Sequence, residues 1–98
     1  MSTTESAERY LKVLLGSETR TDLVALFHRN PGLIDTAEGI GRRIGLVPGA
    51  VQSDLEELVA TGMLTKKKFG TSEVFFLNHA KDREIQDSIA VHLQNLKP

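Results

Sequence analysis

The sequence predicts a mainly α fold with one small β-hairpin, and three observations lead there. Apolar residues recur at i, i+3 and i+4 in five separate stretches. Between the last two stretches, Met63 to Phe69 and Glu73 to Leu77 read as strands around Gly70-Thr71-Ser72. Hydrophobic residues are 40% and charged residues 26% of 98 residues, which is ordinary for one soluble globular domain.

Each element has a local cause. Ser2 to Ser6 is polar and reads as frayed. From Ala7 to Leu15, Leu11, Leu14 and Leu15 fall at helical spacing, with Tyr10 and Val13 beside them, until Gly16 interrupts. Ser17 is a good N-cap and Glu18 suits the dipole of the next helix. Leu23, Leu26 and Phe27 form its stripe, Arg29 sits in its last turn, and Asn30-Pro31-Gly32 stops it. Leu33-Ile34 reads as a brief strand. Asp35 or Thr36 then caps a helix whose buried face is Ile40 and Ile44, and Glu38 lies where a capping box with Asp35 would want it. Gly39 and Gly41 weaken that helix by roughly 1 kcal/mol each. A small residue at 41 fits a close helix crossing, whereas Gly39 has no local account.

Gly45-Leu46-Val47 is a turn, and Pro48 is favourable at a first helical position. Val51, Leu55, Leu58 and Val59 form the next stripe, ending at Thr61-Gly62, for a helix of roughly 21 Å. In the second strand Phe75 and Leu77 share one face, and Val74 and Phe76 the other. The last helix, 80–96, carries Ile85, Ile89, Leu93 and Leu96. No internal repeat or low-complexity segment appears.

Composition excludes several functions. The absence of cysteine removes disulfides, thiolate metal sites and cysteine nucleophiles. His28, His79 and His92 share no ligand spacing, so no metal or other cofactor is expected. No glycine-rich phosphate loop or nucleophile motif is present, and the chain does not read as an enzyme. No apolar run approaches a membrane span and no signal peptide is evident, which makes the cytoplasm the default location. The net charge is −1. Residues 31 to 64 hold two arginines against five carboxylates, a net of −3. Residues 65 to 79 hold three lysines against Glu73, a net of +2.

Two helices joined by a tight turn and followed by a hairpin suggest a winged helix-turn-helix. Leu15-Gly16-Ser17-Glu18-Thr19-Arg20 resembles the start of the first core helix in ArsR-type winged-helix regulators. Ile40-Gly41-Arg42-Arg43-Ile44-Gly45-Leu46 resembles their first helix-turn-helix element and turn, and 48–58 resembles their recognition helix. Gly62-Met63-Leu64 with Lys66-Lys67-Lys68, Gly70 and Phe75-Phe76-Leu77 resembles their wing. The resemblance spans about residues 14 to 78, which makes 1–98 a single domain with a C-terminal helix at about 80–96.

The resemblance implies a DNA-binding transcriptional regulator, with helix 48–61 in the major groove and the wing on phosphates of double-stranded DNA. Carried over by position, the base-reading residues are Gly49, Ala50, Gln52, Ser53 and Asp54. Arg42, Arg43, Lys66, Lys67 and Lys68 become the phosphate contacts. Gln52 suits adenine and Ser53 pairs with many groups, but the helix has no arginine, and Asp54 would repel phosphate. The lysines also suit a solvated edge strand guarded against aggregation. The resemblance further implies a homodimer built by the terminal helices, through Leu11, Leu14, Ile85, Ile89, Leu93 and Leu96. The segment 7–15 would pair with 80–96 across a two-fold axis. The alternative is that both terminal helices fold back onto their own chain. A second functional reading is a winged-helix module that holds a protein partner and does not bind DNA.

Overall fold

The computed structural model describes residues 3–96, without the side chains of residues 3, 4 and 48. Five helices and three strands follow in the order α1 (Thr3–Leu14), α2 (Glu18–Arg29), β1 (Ile34–Asp35), α3 (Ala37–Ile44), α4 (Pro48–Thr61), β2 (Leu64–Phe69), β3 (Ser72–Leu77) and α5 (His79–Asn95). The first helix starts at Thr3, so most of the segment expected to fray is helical, and Ser2 lies outside the described residues. No described helix is long and apolar enough to cross a membrane.

The caps follow local chemistry. Ser17 Oγ accepts the Arg20 N–H at 3.0 Å and opens α2. Asn30 closes it, donating its own N–H to the Leu26 carbonyl. At α3 the choice between two caps is decided for Thr36, whose Oγ1 accepts from Gly39 N–H at 3.2 Å. Asp35 instead accepts the Thr36 N–H at 2.8 Å, so no Asp35–Glu38 capping box forms. That carboxylate also explains Gly39, because a Cβ there would collide with it.

The turn after α3 is closed by Gly45 N–H on the Arg42 carbonyl and Leu46 N–H on the Gly41 carbonyl. Gly45 stands at φ 76°, the left-handed conformation this closure requires. A Cβ on Gly41 would stand 2.5 Å from the Leu46 carbonyl oxygen. The close approach at 41 is therefore the folded-back turn rather than a crossing helix.

The expected hairpin is part of a three-stranded antiparallel sheet, ordered β1-β3-β2. The brief strand lies one residue later than Leu33-Ile34, with Ile34 opposite Phe76 and Asp35 opposite Phe75. Phe69 pairs with Ser72, which leaves only Gly70-Thr71 at the tip. Phe75 and Leu77 turn inward as their alternation predicts, while Val74 and Phe76 are half-buried on the outer face.

The core lies where α4 meets α2, α3 and β2. Leu23, Phe27, Ile40, Val51, Leu55, Leu58, Met63 and Phe75 are almost wholly buried there. Helix α1 packs on α5 of the same chain, and also touches α4 and α2. The two terminal segments therefore meet within one chain.

Candidate nucleic-acid interface

Helix α4 buries one stripe and offers another. Val51, Leu55 and Leu58 are inside, and Gly49, Ala50, Gln52 and Ser53 are exposed. Pro48 starts the helix, and Val47 at the N-cap supplies no side-chain hydrogen bond. Those four exposed residues therefore lie near a helix start that no side chain caps.

Asp54 does not join them. It turns to the junction of α1 and α2, where its Oδ1 accepts from Arg20 Nε–H and from the Ser17 hydroxyl, both at 3.1 Å. Its assignment as a base-reading residue is corrected on this geometry. A signal was present in the spacing, since 51, 54, 55 and 58 follow the i, i+3, i+4, i+7 pattern of one buried face.

A groove of about 540 Å³ runs between the start of α3, the exposed side of α4 and the wing. Gln52 and Lys68 both line it, together with Thr36, Thr71 and the carboxylates Glu38 and Glu73. Arg42 and Arg43 do not line it. Arg42 pairs with Glu38 at 2.9 Å, and Arg43 with Asp35 at 3.4 Å.

The three wing lysines occupy three environments. Lys66 donates to Glu56 Oε2 of α4 at 2.9 Å and stands 3.9 Å from Glu73. The Glu56 hydrogen bond holds its pKa above the ordinary lysine value, against a smaller opposing effect of desolvation. The ammonium of Lys67 lies 5.4 Å from the centre of the Phe69 ring. Lys68 is exposed and has no ion-pair partner among the described residues. Alternation explains the split: Lys66 and Lys68 share the sheet face that looks toward α4, and Lys67 shares the outer face with Phe69.

The residues expected at a dimer interface also divide. Leu14 and Ile85 are buried in the chain's own core, and Ile89 packs partly against it. Leu11 is half-buried. Leu93 and Leu96 are 52% and 64% exposed. Leu15 and Val91, absent from the expected set, are exposed too. A single apolar stripe cannot tell its first turns, covered by the same chain, from its last.

Another cluster was not anticipated. Asp82, at the start of α5, is buried, with His28 Nε2 at 2.8 Å from Oδ1 and Gln86 Nε2–H donating to Oδ2 at 2.6 Å. It ties the end of α2 to the start of α5. Among the described residues no group of three or more His, Asp or Glu is placed to hold a metal ion.

With these features in place, comparison with solved structures identifies the architecture. The chain is similar to the homodimeric winged helix-turn-helix DNA-binding domain of a possible ArsR-family transcriptional regulator from Mycobacterium bovis. That match has a TM-score of 0.66 at 17% identity, over 95% of this chain and 83% of that one. It is similar to a possible transcriptional regulator for arsenical resistance, with a TM-score of 0.60 at 21% identity over 91% and 97% of the two chains. A protein from the thermoacidophilic archaeon Sulfolobus tokodaii matches with a TM-score of 0.69 at 12% identity, over 97% and 95%. No family model matches the sequence, and no curated protein does. The fold is a winged helix-turn-helix: α3 and α4 form the helix-turn-helix, and β2 and β3 form the wing.

Proposed function

We propose that this chain is a dimeric DNA-binding transcriptional regulator rather than an enzyme. Helix α4 enters the major groove, and the wing contacts phosphates of double-stranded DNA. The observation that carries this reading is the placement of Gln52 and Lys68 in one groove between the exposed side of α4 and the wing. A side chain able to address adenine and an unpaired cation then face the same ligand. Two of the similar structures are of possible transcriptional regulators, which supports it.

The dimer of this reading uses the exposed apolar residues Leu93 and Leu96 near the end of α5, with Leu15 after α1. A symmetric pair would present two copies of α4 to half-sites one helical turn apart.

Fluorescence anisotropy of a labelled duplex across a salt series tests the proposal. Binding should weaken with salt by a slope of about 0.9 for each phosphate neutralised. Absence of binding at low salt would overturn it.

A second reading, a protein-binding module, is favoured by one observation. Arg42, Arg43 and Lys66 are each paired with a carboxylate of the same chain, which lowers the positive potential of the DNA-facing side. It predicts no DNA binding at any salt concentration and retention of α4-dependent binding to a protein.

A further inference from the structure

We infer that Asp54 is a positioning residue, through which the end of α1 and the start of α2 set the orientation of the recognition helix α4. This inference rests on the DNA-binding reading above, and deepens it by naming what holds the reading head.

The socket is built from four residues before Asp54 in the chain. Ser17 serves twice, accepting the Arg20 N–H as the α2 cap and donating its hydroxyl to Asp54. Arg20 also serves twice. Its Nε–H reaches Asp54 Oδ1, and its Nη1–H reaches the Val13 carbonyl, near the end of α1, at 2.7 Å. Gly16 leaves the space in which the guanidinium lies, because a Cβ there would stand 2.7 Å from Arg20 Nη1. One planar cation therefore bridges a backbone carbonyl of α1 and a carboxylate of α4. The Arg20 and Asp54 side chains are only 16% and 15% exposed, so water competes weakly for these bonds.

The position of Asp54 gives the bridge its consequence. It directly follows Gln52 and Ser53, the exposed polar pair of α4. A shift of the Asp54 Cα therefore moves the residues that would meet base edges. Its anchor is the last turn of α1, a helix that packs on α5. A change in how the terminal helices are held would reach α4 through Arg20.

The sign of one substitution separates this role from a direct one. If Asp54 faced DNA, Asp54→Asn would remove a repelling charge and tighten binding. As a positioning residue, the same change should weaken binding of a labelled mixed-sequence duplex by about tenfold at fixed salt, through loss of a charge-assisted hydrogen bond. The slope against salt should stay unchanged, because no phosphate contact is removed. Arg20→Lys, which keeps the charge but cannot span both acceptors, should weaken binding comparably. The double variant should add little more.

Amide hydrogen exchange on the same proteins needs no DNA. In Asp54→Asn, amides of α4 and of the last turn of α1 should exchange faster together, while those of β2 and β3 do not. Tighter binding by Asp54→Asn, or weaker binding by Asp54→Asn with no change in Arg20→Lys, would overturn the inference. So would a lowered melting temperature with DNA affinity unchanged. If the unaltered chain binds no DNA, the functional reading fails. The coupling then stands or falls on whether α1 and α4 loosen together.

Discussion

Arg20–Asp54 and Arg42–Glu38 contribute identically to the charge sum of this chain, and physically they have little in common. The first pair joins elements far apart in sequence and is about 15% exposed; the Ser17 hydroxyl also donates to its aspartate, and its arginine also donates to the Val13 carbonyl. The second is an i,i+4 pair on α3 with both side chains more than two-thirds exposed. In water such a pair is screened and its ordering costs side-chain entropy, so it contributes roughly 0.3–0.5 kcal/mol. Regional net charge is therefore a poor guide to the field at the groove. It counts Asp54 against DNA binding, although that carboxylate is neutralised inside the fold, and it credits Arg42 and Arg43 in full, although each already has a partner.

The largest expected effect breaks the buried side of this contrast. Asp54→Ala leaves the Arg20 guanidinium without its carboxylate. Because some solvent still reaches the site, the loss of stability should be about 1–3 kcal/mol rather than that of a fully buried pair, read from urea unfolding. A loss below about 0.5 kcal/mol would place the socket in the same class as the surface pairs. Ser17→Ala removes the α2 cap and one bond to Asp54, and should cost about 1 kcal/mol in the same assay.

The exposed side is sharpened by binding measurements. Replacing Lys67 and Lys68 together with alanine should lower the salt slope of DNA binding by about 1.8, at about 0.9 per contact. Lys66→Ala should lower it less, since Glu56 already holds that ammonium. Equal slopes for Lys66→Ala and Lys68→Ala would show that the Glu56 pair opens on DNA. Lys66 also has a pH signature. Its pKa is raised in the folded chain, so its contribution is complete below the unfolded value and disappears as alkaline pH passes the folded one. That alkaline loss should be smaller in a pH series on Glu56→Gln, where only Glu73 still raises the lysine's pKa. The smallest effect is for Arg42→Ala, which should change the unfolding free energy by less than about 0.5 kcal/mol.

Several elements were legible in residue order alone. Pro48–Thr61 has the limits that Pro48 and Gly62 impose, and Ser17 caps α2 as its side chain predicts. These are local facts: a cap needs an oxygen three residues before a free N–H, and a turn needs a residue that tolerates its dihedrals. The choice between Asp35 and Thr36 was not legible, because both carry a suitable oxygen and the selection lies in the direction of the incoming strand. Gly39 and Gly41 depend on the same circumstance. Each is opposed by a group, the Asp35 carboxylate or the Leu46 carbonyl, that reaches it only after the chain has turned.

The candidate interface follows the same division. Periodicity separates the exposed Gln52 and Ser53 from the buried Val51 and Leu55, and alternation divides Lys67 from Lys66 and Lys68. The same spacing puts Asp54 in register with the inner stripe, although the resemblance assigned it to the base-reading set. The terminal helices show the limit most plainly. Four apolar residues at helical spacing establish that α5 has an apolar side, yet Ile85 is covered by the chain itself while Leu93 and Leu96 are not.

By itself, then, residue order determined the five helices, the hairpin, the Ser17 cap and the faces along each element. Those depend on dihedral preference and on repeats of 3.6 and 2 residues within a few positions of chain. Tertiary structure alone decided which carboxylate meets Arg20, which lysine is neutralised by Glu56, and which end of the α5 stripe is left uncovered. Each of those is a meeting between groups brought together only by packing, and no local spacing encodes the distance between them.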